Sequence, residues 1–389
     1  MSYQKIPKCR NFIRTAQTLA LLAGVMLVGS NAFVLSPILS DVAQGLGTEP
    51  SRIAWAISVF GAATAVSGLT LARMIDSLPA GNLLGGAALV LALAQASSGA
   101  SPNWVWLCVS QGLAGMATGL LLPGVYATAA ASATQGREAA RLGAVLTGWA
   151  LSLVLMVPLA AFIAEGFGWR MVYAALSGLS LLTAFGMAVG LRGIAGENRA
   201  RTSLSRALRL PGVARLLLVI FVYMTAFYGS FAFFGEGVRQ TFALTARGTG
   251  ILLSAYGLGF GLAGIGLAMA APSITRRYLT TVLLGIAASY LSWRFALKTP
   301  ASAFIGAVVW GIFNQLGLNA LVVSLNQRAA QVRGAVMGLN TAVTYSAVFA
   351  GPMLMGPIFA DRGFVAVGAL AAGLVLIGAL LGWKAVQAA

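Results

Sequence analysis

An all-α membrane protein with twelve transmembrane helices, arranged as two pseudo-symmetric six-helix halves, is the fold class the sequence predicts, on three observations. Of 389 residues 59% are hydrophobic and 8% charged, with a mean hydropathy of +0.88, far outside the range of soluble domains. Twelve apolar runs can be drawn, each near the ~20 residues that cross a ~30 Å hydrocarbon layer. Basic residues crowd alternate ends of these runs, the pattern that sets orientation in a bilayer.

The runs cover residues 15–39, 53–71, 82–99, 104–127, 142–164 and 171–191, then 213–234, 248–270, 279–297, 301–323, 335–360 and 364–383. The first follows Lys5, Lys8, Arg10 and Arg14, yet it is too long for the apolar core of a cleavable signal and reads as a span. An even number of spans leaves both termini on one side. With that side cytoplasmic, Arg52, Arg170, Arg239, Arg247, Arg294, Lys298 and Arg362 fall outside and the other 18 of the 25 Lys and Arg fall inside. The expectation is a multi-pass protein of a bacterial inner (cytoplasmic) membrane with cytoplasmic termini.

Six arginines between Arg192 and Arg215 mark the longest polar gap, which divides the chain into halves 1–192 and 213–389 joined by a cytoplasmic linker, 193–212. The halves repeat. Arg141-Leu142-Gly143-Ala144-Val145 enters span 5 and Arg333-Gly334-Ala335-Val336 enters span 11, with Gly143 and Gly334 191 residues apart and Pro158 and Pro352 deeper in each span. Duplicated six-helix units suit transporters that rock one half against the other around a central site.

Other classes fit poorly. The net charge of +17 is spread singly between apolar runs, without the basic stripe and interleaved aromatics of a nucleic-acid partner. There is no histidine, and the two cysteines, Cys9 and Cys108, define neither a disulfide framework nor a thiolate cluster, so no metal or cofactor is expected. No paired intramembrane aspartates, zinc-protease helix or activated serine suggests an enzyme, and no nucleotide motif suggests ATP as the energy source. A non-transporting receptor would be a costly use of two polar-lined halves.

Several stretches resemble the major facilitator superfamily, within it the bacterial drug:proton antiporter and sugar efflux (arabinose efflux permease-like) branch. Phe33-Val34-Leu35-Ser36-Pro37-Ile38-Leu39 resembles the opening helix, Ser110-Gln111-Gly112-Leu113-Ala114-Gly115 part of the fourth-helix motif, and span 5 with Gly168-Trp169-Arg170 the antiporter motif. Gly338-Leu339-Asn340 and Gly351-Pro352 in span 11 are also similar. There are departures: Cys108 stands where the family has arginine, span 5 lacks the glycine pair beside Pro158, and of the loop motif after span 2 only Asp76 survives. The resemblance implies efflux of small amphipathic molecules by alternating access, coupled to protons, with the bilayer and a small-molecule substrate as partners and the chain acting as a monomer. The alternatives are a transporter of a specific metabolite such as a sugar or amino acid, and a proton-independent facilitator.

Polar residues inside spans must face other helices or a water-filled path. In span 4, Cys108, Gln111 and Thr118 recur on one face; span 10 has Asn314, Gln315 and Asn319, span 1 has Asn31 and span 11 has Asn340. Because spans 1, 4, 7 and 10 line the cavity in the family, the resemblance makes such residues candidate substrate contacts. The alternative is interhelical hydrogen bonding worth about 0.6 kcal/mol apiece. Tyr223, Phe227, Phe231 and Phe234 form an aromatic stripe along span 7, either a cavity wall or packing. For the conformational switch the resemblance points to Asp76 with Arg73 beside it, and to Pro158. No acid lies at mid-depth, so proton coupling, where present, moves to an edge carboxylate, with Glu236 at the end of span 7 as the first choice.

Overall fold

The computed structural model describes residues 6–71, 73–133, 138–194, 208–270, 273–328 and 333–385. Every span of the sequence reading is helical. Span 1 is Ile6–Phe33 continued by Leu35–Gly45; span 2 is Pro50–Thr70, span 3 Ala80–Gly99 and span 4 Trp104–Ala131. Span 5 runs Glu138–Leu151, passes through a π-helical turn, Ser152–Met156, and resumes as Val157–Phe167. Spans 6 to 10 are Trp169–Gly190, Val213–Phe242, Ala246–Ala270, Arg276–Ala296 and Pro300–Arg328, and the short helix Arg73–Ser77 links spans 2 and 3.

Spans 11 and 12 share one helical stretch, Arg333–Ala385, in which Gly363 alone leaves helical geometry (φ 72°, ψ −175°). Its apolar part, Val336–Trp383, has 48 residues. At ~1.5 Å per residue that is about 72 Å, twice a bilayer core, so this stretch crosses twice and the spans number twelve. The positive φ at the bend is one that glycine adopts without steric cost.

Two local breaks follow from proline. Pro37 has no N–H for the carbonyl of Phe33, and span 1 breaks there: Val34 separates its two helices and Ile38 departs from helical angles (φ −113°, ψ 15°). Pro158 likewise cannot donate one turn back, and the π turn lies immediately before it, with the Val157 amide reaching the Ser152 carbonyl.

Span 7 is the most enclosed element, with 83% of its apolar window buried against 33–61% elsewhere. Small residues bring neighbours close: a Cβ on Gly119 of span 4 would stand 2.7 Å from the Thr64 carbonyl oxygen of span 2. The first six spans meet the last six chiefly where span 1 packs on 7, span 2 on 11 and span 5 on 8, with smaller contacts of span 1 with 8 and span 2 with 7. Those resolved to atoms lie from mid-depth toward the face opposite the arginine-rich one. Phe60 meets Tyr345, Gly61 lies against Val348 and Phe349, Gly257 against Leu153, Gly250 against Pro158 and Ala161, and Glu165 accepts from the Arg247 amide at 2.8 Å. The molecule is therefore shut at that face.

Three readings need correction or placement. Span 1 runs to Gly45 rather than residue 39 and span 7 to Phe242 rather than 234, because polar side chains in these extensions satisfy one another. Trp169, whose place at a span end suggests an interfacial anchor, is instead buried against Gly45 and Tyr173. Of the linker 193–212, residues 195–207 lie outside the described residues.

Candidate functional site

Polar groups at mid-depth of the first six spans bind one another. Asn31 donates to the Gln111 side-chain oxygen at 2.9 Å, Gln111 donates to Ser98 Oγ at 3.0 Å, Gln95 donates to Asn31 Oδ1 at 3.4 Å, and Ser180 donates to Gln95 at 2.7 Å. All five side chains are buried, so spans 1, 3, 4 and 6 are tied by an uncharged, mutually satisfied network. Gln95, Ser98 and Ser180 were absent from the sequence candidates; the available signal was the Gln95 amide inside the apolar run of span 3.

A counterpart holds the last six spans. Tyr223 donates to Asn314 Oδ1 at 2.7 Å, and Asn314 donates to the Tyr256 hydroxyl at 2.6 Å, linking spans 7, 10 and 8. The span 7 stripe is enclosed by other rings. Phe234 packs among Trp293, Trp310 and Phe364; Phe227 stacks on Tyr256; Phe231 meets Tyr256, Trp310 and, at 5.0 Å between centroids, Phe33 of span 1. Phe33 also touches Phe227, Tyr228 and Trp149. It is the last helical residue before the span 1 break, so the hinge of that helix carries an aromatic seal against span 7.

Above this seal the two helices meet through polar atoms. Ser36 Oγ donates to the Phe231 carbonyl at 2.5 Å, and a Cβ at Gly235 would collide with the Ser36 carbonyl, so only glycine permits this approach. The Ser40 hydroxyl donates to Glu236 Oε2 and Gln240 Nε2 donates to Oε1 at 2.8 Å. Glu236 is only 4% exposed, which puts a carboxylate inside the seam between the halves. One turn along, Arg239 holds Asp41 of span 1 with two bonds, Nη1–Oδ2 at 2.5 Å and Nη2–Oδ1 at 3.2 Å. Both side chains of this pair keep 24% exposure, so water screens it and its worth is of order 1 kcal/mol.

Other candidates are dispersed. Cys108 is a buried free thiol and Thr118 a buried hydroxyl without a partner. Gln315 and Asn319 are half-buried on span 10, Asn340 is half-buried on span 11, and the side-chain oxygens of Gln315 and Asn340 have no partner. Pro158 backs onto Gly250 of span 8. The side chains of Arg73 and Asp76 lie outside the described residues. Among the described residues no cluster of histidine, cysteine or carboxylates is arranged to hold a metal.

Comparisons with known proteins agree with this architecture. The family model described as Major Facilitator Superfamily matches residues 21–352. An uncharacterised MFS-type transporter of Bacillus subtilis, YwfA, is 25% identical over 374 residues, 93% of this chain and 90% of that protein. Among solved structures, a bacterial homolog of the human lysosomal transporter Spinster, in an inward-facing and occupied conformation, superposes with a TM-score of 0.78 at 15% identity, covering 97% of each chain. The human organic anion transporter MFSD10 gives 0.68 at 17% identity, covering 95% of this chain and 99% of its own. With a family model spanning most of the sequence, a relative matched almost end to end and the twelve-span fold, the chain belongs to the major facilitator superfamily of membrane transporters.

Proposed function

We propose that this transporter exports small, neutral or weakly charged amphipathic molecules by alternating access, with proton movement coupled at Glu236. Residues 1–192 and 213–389 are the two moving halves, 193–212 the cytoplasmic linker, the arginine-rich face is cytoplasmic, and a single chain is the working unit in a bacterial cytoplasmic membrane. The observation that carries the reading is the Glu236 carboxylate enclosed in the seam between spans 1 and 7, held by Ser40 and Gln240. A buried carboxylate that meets water only when two bodies part is what coupling demands, since its proton is then exchanged with one side at a time. Asn31 and Gln111 are committed to the network; the half-buried amides Gln315, Asn319 and Asn340 are better supported as solute contacts, because partnerless oxygens remain on two of them. None of these groups is charged, which suits a neutral or weakly charged solute. An efflux direction is supported by the resemblance of spans 1, 4 and 5 to the export branch.

Vesicles reconstituted with the protein and loaded with a pH-sensitive dye test the reading, with candidate dyes and antibiotics added under an imposed pH gradient. Substrate-dependent proton movement that disappears in Glu236→Gln, at unchanged protein content, is expected. Proton movement that persists in Glu236→Gln excludes that residue, and solute flux without protons establishes a facilitator.

A further inference from the structure

Arg239 is placed between two carboxylates, and the structure uses only one of them. Asp41, across the seam on span 1, takes both guanidinium contacts. Glu236 lies three residues earlier on the same helix, the spacing at which side chains on a helix meet, yet its oxygens are occupied by the Ser40 hydroxyl and the Gln240 amide. Glu165, the other acid near this cation, is bound to the backbone amide of Arg247 on span 8. Two of these partners, Asp41 and Ser40, belong to span 1. When span 1 leaves the seam, Arg239 loses its carboxylate and Glu236 loses a hydroxyl in the same movement. The two abandoned groups remain on one helix, three residues apart.

We infer that Arg239 is a positioning residue that exchanges carboxylates, pairing with Asp41 while this face is shut and with Glu236 once it opens. Arg239 then keeps a carboxylate partner in both states. The exchange makes the two acids opponents: Asp41 stabilises the shut state and Glu236 the open one. A simple latch, in which every cross-seam contact favours closure, gives Glu236 no opening role, so the sign of the Glu236 effect separates the two. The inference rests on the alternating-access reading above, and not on proton coupling or substrate.

Spin labels on the full chain in lipid nanodiscs test it. Gln44→Cys on span 1 and Thr241→Cys on span 7 are exposed positions flanking the seam, introduced after Cys9→Ser and Cys108→Ser. Interlabel distances are measured by pulsed electron resonance at fixed pH without substrate. Asp41→Asn is expected to move the population toward the longer distance and Glu236→Gln toward the shorter. Each shift should be at least about fivefold, the lower end of coupling between linked sites. The double variant should return close to the parent. Where Asp41→Asn is not monodisperse, Ser40→Ala, which releases Glu236 in the shut state, should lengthen the distance instead. Two populations with Asp41→Asn and Glu236→Gln shifting the same way, or no shift from Glu236→Gln, overturn the exchange alone. One unchanging distance in the parent and all variants overturns alternating access at this face and the exchange with it.

Discussion

Gln111 is held on both of its polar atoms, accepting from Asn31 and donating to Ser98. Replacing it with leucine strands the Asn31 amide in an apolar interior, at about 1–3 kcal/mol. Gln111→Leu is therefore expected to lower the melting temperature in detergent, with the efflux profile of any folded protein unchanged. An unchanged melting temperature with an altered profile would instead make Gln111 a solute contact. Sequence alone exposed Asn31, Gln111 and Asn314, because an amide within an apolar run is rare enough to be noticed. What each binds was hidden, since the partners lie on other helices, 13 to 91 residues away, and no local pattern records such pairings. Glu236 was legible as an acid beside span 7, but its burial depends on Ser40, 196 residues earlier.

At the level of helices, periodicity and length located all twelve spans, and the errors fell where polar residues pair across helices and hydropathy falls too early. The broken elements, spans 1 and 5, both border the seam and both owe their breaks to proline. Pro158→Ala restores an amide donor to the helix, removing the reason for the π turn and shifting the half of span 5 that abuts Gly250. If the proposed export is right, dye efflux by this variant should fall several-fold with protein level retained, measured against abundance on immunoblots. Normal efflux would show the bulge to be incidental. For the aromatic stripe from Tyr223 to Phe234 the spacing leaves wall and packing open. Phe231 touches Phe33, Tyr256 and Trp310 in the shut seam, so Phe231→Ala leaves a cavity costing about 3–5 kcal/mol. A lower melting temperature is expected together with changed solute preference, and preference change at wild-type stability would return the stripe to a free wall.

At the scale of the whole molecule orientation follows from charge, since the twelve-span topology assigns 18 of the 25 basic residues to the side of the termini. A reporter active only in the cytoplasm, fused after Ala389, should be active, and a well-expressed but silent fusion would reverse the topology. The repeat of Gly143 and Gly334 and the central polar gap made six-plus-six organisation readable, because duplication is written along the chain. The shut face was not, because it depends on how helices far apart in sequence pack against one another. On that face the connections are minimal: Gly45 to Pro50, Gly99 to Trp104, Phe242 to Ala246, Ala296 to Pro300, and a single glycine at positions 168 and 363. Whichever compartment it borders, this surface has almost no backbone to seize. Antibodies, phage and proteases approaching from that side find helix ends instead of loops, so affinity reagents raised against the folded protein should map overwhelmingly to the arginine-rich side.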